Sequence, residues 1–166
     1  MSFTYSGLKT TIQNYMDNDE TTFTNTLDTF IKLSEEKILK TVQLDEFRKN
    51  VTGTASSGGT YLGKPSDYLD PLSLAVLDSD NKYTYLLLKQ VTWIRDYTPI
   101  AATTGAPKYY ASFDEDTFIL APTPNANLTF ELHYVYRPGS LTAAGDSGTT
   151  WLSINAEDAL LYGALV

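Results

Sequence analysis

The sequence predicts an α+β protein, with a helical bundle drawn from both ends of the chain and an antiparallel β-sheet or sandwich inserted between them. Three observations carry this. Apolar residues recur every three or four positions up to about residue 46; the period changes to two from about Phe47; and helical signals return after residue 150. The predicted organisation is therefore a helical hairpin over 1–46, completed by a helix over 151–166, around an antiparallel β insertion over 47–150.

The first helix is short, with Leu8, Ile12, Tyr15 and Met16 as its apolar stripe, and Asp17-Asn18-Asp19 ends it as a polar turn. The second is stronger. Phe23, Leu27, Phe30, Ile31, Ile38, Leu39 and Val42 form one face, while Asp28, Lys32, Glu35, Glu36 and Lys40 occupy the other. Glu36 and Lys40 stand at the i,i+4 spacing of a helical ion pair, in the favoured order. Glu35 and Glu36 are read as solvated neighbours that diverge on the helix surface, not as an acid–base pair.

Within the insertion, Leu72 to Leu77 and Lys82 to Leu88 flank Asp78-Ser79-Asp80-Asn81 and read as a hairpin; Val91 to Tyr97 reads as a short helix. Lys108 to Phe113 and Thr117 to Ala121 are strands separated by Asp114-Glu115-Asp116. After Pro122-Thr123-Pro124 comes the clearest alternation in the chain, which puts Leu128, Phe130, Leu132, Tyr134 and Tyr136 on one side and predicts a three-strand meander. Residues 138–150 are small and turn-rich and read as a linker. Asn155, with Asp158 three residues on, marks the start of the last helix. That helix runs to Leu165-Val166 without a C-cap glycine or a basic last turn, an apolar end expected to be covered by further chain or by another molecule.

Twelve basic against twenty acidic residues give a formal charge of -8, which opposes general affinity for phosphate backbones. With no cysteine, disulfides, thiolate nucleophiles and thiolate metal sites are excluded, and the lone His133 leaves any metal to carboxylates. No apolar run is long enough to span a bilayer and no secretory leader precedes the first helix, so a soluble, intracellularly made chain is expected.

Candidate motifs fail on chemistry. Gly58 to Lys64 has the spacing of a phosphate loop, but Pro65 stands where a magnesium-binding hydroxyl and a helix start are required. Asp78-Ser79-Asp80-Asn81 opens like a calcium loop, yet Lys89 takes the place of the closing bidentate glutamate and the sixth position is not glycine. Asp114-Glu115-Asp116 reads as an acidic turn. His133 lies on the polar side of its strand, with no nucleophile elbow anywhere in the chain. The sequons at Asn50 and Asn127 are chance matches in a chain without a leader. Neither a catalytic set, a cofactor nor a metal is indicated. Trp93, Tyr97, Trp151, Tyr162 and Leu165 are instead the candidate assembly contacts, because aromatic and large apolar groups dominate interface energetics.

Several stretches carry a family resemblance: Tyr61-Leu62-Gly63-Lys64-Pro65-Ser66-Asp67-Tyr68-Leu69; Pro107-Lys108-Tyr109-Tyr110 leading to Phe118-Ile119-Leu120-Ala121-Pro122-Thr123-Pro124; Leu132-His133-Tyr134-Val135-Tyr136-Arg137-Pro138; and Trp151-Leu152-Ser153 followed by Ala156 to Leu165. Together they resemble the head-to-tail adaptor (neck, or connector) proteins of tailed bacteriophages. The resemblance implies a structural, non-enzymatic virion protein, made in the host cytoplasm and forming a ring, commonly of twelve copies. The ring would sit beneath the portal protein, join it to tail, nozzle or other neck proteins, and let DNA pass without specific binding or a membrane. Family members usually carry further C-terminal helix packed on the N-terminal pair, so an early stop is expected to affect portal binding. The rival readings are a tail-fibre or receptor-binding module and a glycan hydrolase acting through Asp114 and Asp116.

Overall fold

The computed structural model describes residues 2–166 apart from Gln43, Ser79, Asn81 and Ala101. Its mixed helices and antiparallel sheets make it α+β, with helices from both termini flanking a β region. The chain divides into two compact units, residues 1–45 with 138–166 and residues 46–137.

The first unit is helical. α1 (Tyr5–Met16) starts at Thr4, whose hydroxyl accepts a hydrogen bond from the Gly7 amide at 3.1 Å, and ends at Asp17 in the left-handed conformation, φ 47°. Asn18 then accepts from the Glu20 amide to turn the chain into α2 (Thr21–Thr41). Leu8, Ile12, Leu27 and Ile31 are buried together, as the helical periodicity predicts, and Lys40 reaches Glu36 at 3.3 Å. Tyr15 and Met16, placed on the apolar stripe from sequence, are exposed at the end of α1.

Three features of this unit correct the sequence reading. Glu35 is buried: its carboxylate accepts from the Leu141 amide at 2.8 Å and from the Ser140 hydroxyl, 105 residues away. Residues 138–150 are accordingly no linker. They belong to the helical unit and contain a 3-10 turn, Leu141–Ala143, that inserts the fully buried Leu141 into its core. The C-terminal helix begins at 151 as predicted but is divided, and its first piece, α4 (Trp151–Asn155), is capped by a reciprocal capping box of Thr150 and Ser153 and not by Asn155. The residue at the N-cap of α5 is Ala156, and Asn155 closes α4 by donating its side-chain amide to the Trp151 carbonyl at 3.0 Å.

α5 (Glu157–Leu165) lies against α2. The hydroxyl of buried Ser34 donates to the Leu160 carbonyl, and a Cβ on Gly163 would fall 2.3 Å from the Ser34 oxygen, so the approach depends on two small residues. Leu160, Leu161 and Ala164 are buried and Leu165 is half-buried on the same cluster. The inward face of the helix is covered by its own unit, while at its end Leu165 is half-buried and Val166 stands fully exposed.

The second unit is a sandwich. One sheet has the order β1 (Arg48–Ala55), β10 (Leu128–Tyr136), β3 (Tyr68–Leu77), β4 (Tyr83–Tyr85), all antiparallel. The other has the order β2 (Tyr61–Gly63), β8 (Thr117–Ala121), β7 (Tyr109–Ser112), β5 (Leu87–Leu88), with β5 parallel to β7. A two-stranded parallel pair, β6 (Thr104–Gly105) and β9 (Thr123–Pro124), lies beside them. Phe130, Leu132 and Tyr134 of β10 meet Leu74 and Val76 of β3 and, from the facing sheet, Leu62, Tyr110, Phe118 and Leu120. The back of the second sheet is also covered: Ala111, Ile119 and Ala121 pack on Ile94 of α3 (Val91–Tyr97).

The predicted meander is not formed. β7 and β8 make their hairpin, but the Pro-rich step after Ala121 interrupts the ladder and delivers β10 to the opposite sheet. The strand read as Lys82 to Leu88 likewise divides at Leu86, which is buried between the sheets while β4 stays in one and β5 joins the other. Ser79 and Asn81 of the intervening turn lie outside the described residues.

Candidate assembly surfaces

The described residues of the candidate motifs are engaged in local structure. The Gly58–Lys64 stretch includes β2, and Lys64 is spent on the Ser112 hydroxyl at 2.7 Å and the Asp114 carbonyl. Asp114 is a turn cap whose carboxylate accepts from the Thr117 hydroxyl and from the amides of Asp116 and Thr117. Those bonds, the Thr117 hydroxyl foremost, hold its pKa below the usual carboxylate range. Among the described residues no three acidic or histidine side chains gather as a metal site. His133 faces Asn50 of β1 and Ser73 of β3 across the ladder.

The strongest polar network is structural. Lys49 donates to Asp67, whose second oxygen accepts from the Tyr134 hydroxyl at 2.8 Å. Asp67 is pulled below its ordinary pKa, chiefly by Lys49 and also by Tyr134. Tyr134 is pushed up to about 12, first by burial and then by the neighbouring carboxylate. Burial likewise raises Tyr68 and Tyr110, whose rings close edge-on around Phe118.

What the chain presents to its surroundings is apolar, on two faces. The first is built on α3. Trp93 and Tyr97, one helical turn apart, stack at 5.1 Å with planes 9° apart, and both rings meet Tyr109 edge-on at 4.6 and 4.9 Å. Ile94 points the other way into the sheet, so the helix buries one residue and holds its aromatic pair outward. Leu87 and Leu88 on the edge strand β5 are more than half exposed, and a cleft of about 700 Å³ opens between Leu88, Val91, Trp93 and Ser112. Lys89 lies 5.1 Å over the Trp93 ring, and Arg95 donates to the Tyr61 hydroxyl at 3.0 Å.

The second face belongs to the helical unit. A groove of about 410 Å³ runs among α1, α2 and α5, lined by Met16, Phe23, Phe30, Leu33, Leu165 and Val166 among others. Tyr162 is exposed beside it and meets Tyr15 edge-on at 6.4 Å, tying α5 to α1.

A family model described as SU10 adaptor protein matches residues 3–166, nearly the whole chain. The chain belongs to the SU10 adaptor protein family. No curated protein matches it.

For a member of this family the structure distributes the five expected contact residues unevenly. Trp93 and Tyr97 come together on one outward face, and Tyr162 stands exposed on α5. Trp151 is half-buried at the start of α4, and Leu165 is half-buried at the groove wall. Leu87, Leu88, Met16 and Leu33, which sequence reasoning did not single out as contact candidates, are also exposed on these faces. For Leu33 a signal existed: it falls outside the stripe of Phe23, Leu27, Phe30 and Ile31, on the otherwise polar side of α2.

Charge is divided as unevenly as apolar surface. The helical unit holds four basic and ten acidic residues, the β unit eight and ten, so six of the eight net negative charges sit on the helical unit. No helix among the described residues is long and apolar enough to cross a membrane.

Proposed function

We propose that this chain is a structural component of a tailed-bacteriophage virion that forms a ring beneath the portal and joins the capsid vertex to the tail. Its membership of an adaptor family over nearly its full length carries this reading. Two large apolar faces agree with a part that works by contact.

Portal protein on one side and tail, nozzle or further neck proteins on the other are the partners this role requires, with copies of the chain itself as ring neighbours. Many modest contacts made at once give such an assembly its strength through avidity. The net charge of -8 suits a passage for DNA: an acidic wall repels the phosphate backbone, so the genome slides without binding.

Sedimentation velocity of the chain alone and mixed with the portal complex tests the role. A slow, small species alone and co-sedimentation at many copies per portal complex are expected. An unchanged sedimentation profile on mixing contradicts the reading, and a trimer that ignores the portal favours a tail-fibre module.

A further inference from the structure

We propose that successive copies of the chain join head to tail, with the aromatic face of α3 in one copy seated in the groove among α1, α2 and α5 of the next. This deepens the ring reading above and rests on it. The two faces complement each other in form: a projecting Trp93–Tyr97 stack flanked by Leu87 and Leu88, and a concave floor of Phe23, Phe30 and Leu33. The stack is already ordered by Tyr109, so little side-chain freedom is lost when it docks.

Charge selects this pairing over the alternatives. From Leu87 to Tyr109 the chain carries Lys89, Arg95 and Lys108 against one acid, Asp96. On the groove side, Lys37 of the lining is the one base, against Asp17, Asp19 and Glu20, all exposed, on the turn joining groove residues Met16 and Phe23. Knob against groove therefore brings opposite signs together, whereas knob on knob or groove on groove juxtaposes like charges. Because the two faces differ, the contact is heterologous: each copy keeps one free knob and one free groove, and addition continues until a ring closes. A like-with-like contact would stop at two copies.

The chain has no cysteine, so the introduced thiols are the only ones it carries. Tyr97→Cys and Leu33→Cys, both at exposed positions, are made singly and together, bound to the portal complex and oxidised. The doubly substituted chain gives a ladder of disulfide-linked dimers, trimers and higher species, and each single variant, whose thiol faces no thiol across the contact, stays monomeric; a disulfide dimer of either single variant shows like-with-like pairing and overturns the contact. If the double variant co-sediments with portal at many copies yet forms no ladder, this contact is wrong and the ring reading stands. If the wild-type chain fails to assemble on portal at all, both fall. A second arm uses charge. Lys89→Glu with Lys108→Glu weakens assembly at least tenfold, and adding Asp17→Lys with Glu20→Lys restores it; loss without restoration overturns the pairing.

Discussion

Removing the carboxylate of Glu35 is the sharpest test of how the helical unit is held together. Glu35 is 5% exposed and accepts two hydrogen bonds, from the Leu141 amide and the Ser140 hydroxyl. Hydrogen bonds to a charged partner are worth about 1.5–3 kcal/mol each, and Glu35→Ala leaves the amide of fully buried Leu141 without its acceptor, so a loss of about 3–5 kcal/mol is expected. Glu35→Gln keeps a carbonyl oxygen for Leu141 and gives up the charge, which lowers the expected loss to about 1–2 kcal/mol. The chain supplies its own probes, because Trp151 lies in the helical unit and Trp93 in the β unit. In a Trp93→Phe background, urea unfolding followed by Trp151 fluorescence reads the helical unit. With a slope of about 1.5–2 kcal/mol/M, the Glu35→Ala midpoint falls by about 2 M. A solvated helix-surface glutamate would change stability by no more than about 0.5 kcal/mol, and a shift that small refutes the clamp.

Two further outcomes follow from the β unit. Gly53 lies opposite Phe130 in the β1–β10 ladder, where a Cβ would stand 2.5 Å from the ring; Gly53→Ala is expected to destabilise by about 1–3 kcal/mol in urea, and a neutral result contradicts the packing. The Tyr134–Asp67 pair makes the stability of this unit depend on pH at both ends. Tyr134, raised to about 12, contributes stability that is fully present below the ordinary tyrosine value near 10 and is lost as pH climbs from there toward 12. Asp67, held low, contributes above its ordinary value near 4, and that contribution disappears as pH falls through its lowered one. Urea midpoints across pH, read by Trp93 in Trp151→Phe, should show a shallower alkaline slope in Tyr134→Phe and a shallower acid slope in Asp67→Asn; unaltered slopes would show the network to be incidental.

Local pattern reveals most of the elements and little of their partnership. The stripe from Phe23 to Ile31, the short helix at Val91 and the alternation through Phe130, Leu132 and Tyr134 each appear in the structure where periodicity puts them. The sheet to which a strand belongs is a long-range property. β8 has both faces buried, one on the sandwich core and one on α3, and nothing within Thr117–Ala121 says that β10 leaves for the other sheet. Glu35 escaped for the same reason. A glutamate on the polar side of a helix is surface by default, and its partners lie more than 100 residues away. The last helix was expected from 151, but its cap was placed on Asn155; the reciprocal hydroxyls of Thr150 and Ser153 adjoin a run of small residues whose composition reads as loop. Composition named Trp93 and Tyr97, which the structure stacks together on the exposed side of α3, while the groove is a shape made by three helices and had no local trace.

Imaging the vertex of the intact particle tests the central claim most directly. A closed ring of this chain between portal and tail, with the α3 face of each copy against the helical unit of its neighbour, is the predicted result. Finding the chain elsewhere in the particle, or as a trimer at the tail tip, would contradict it.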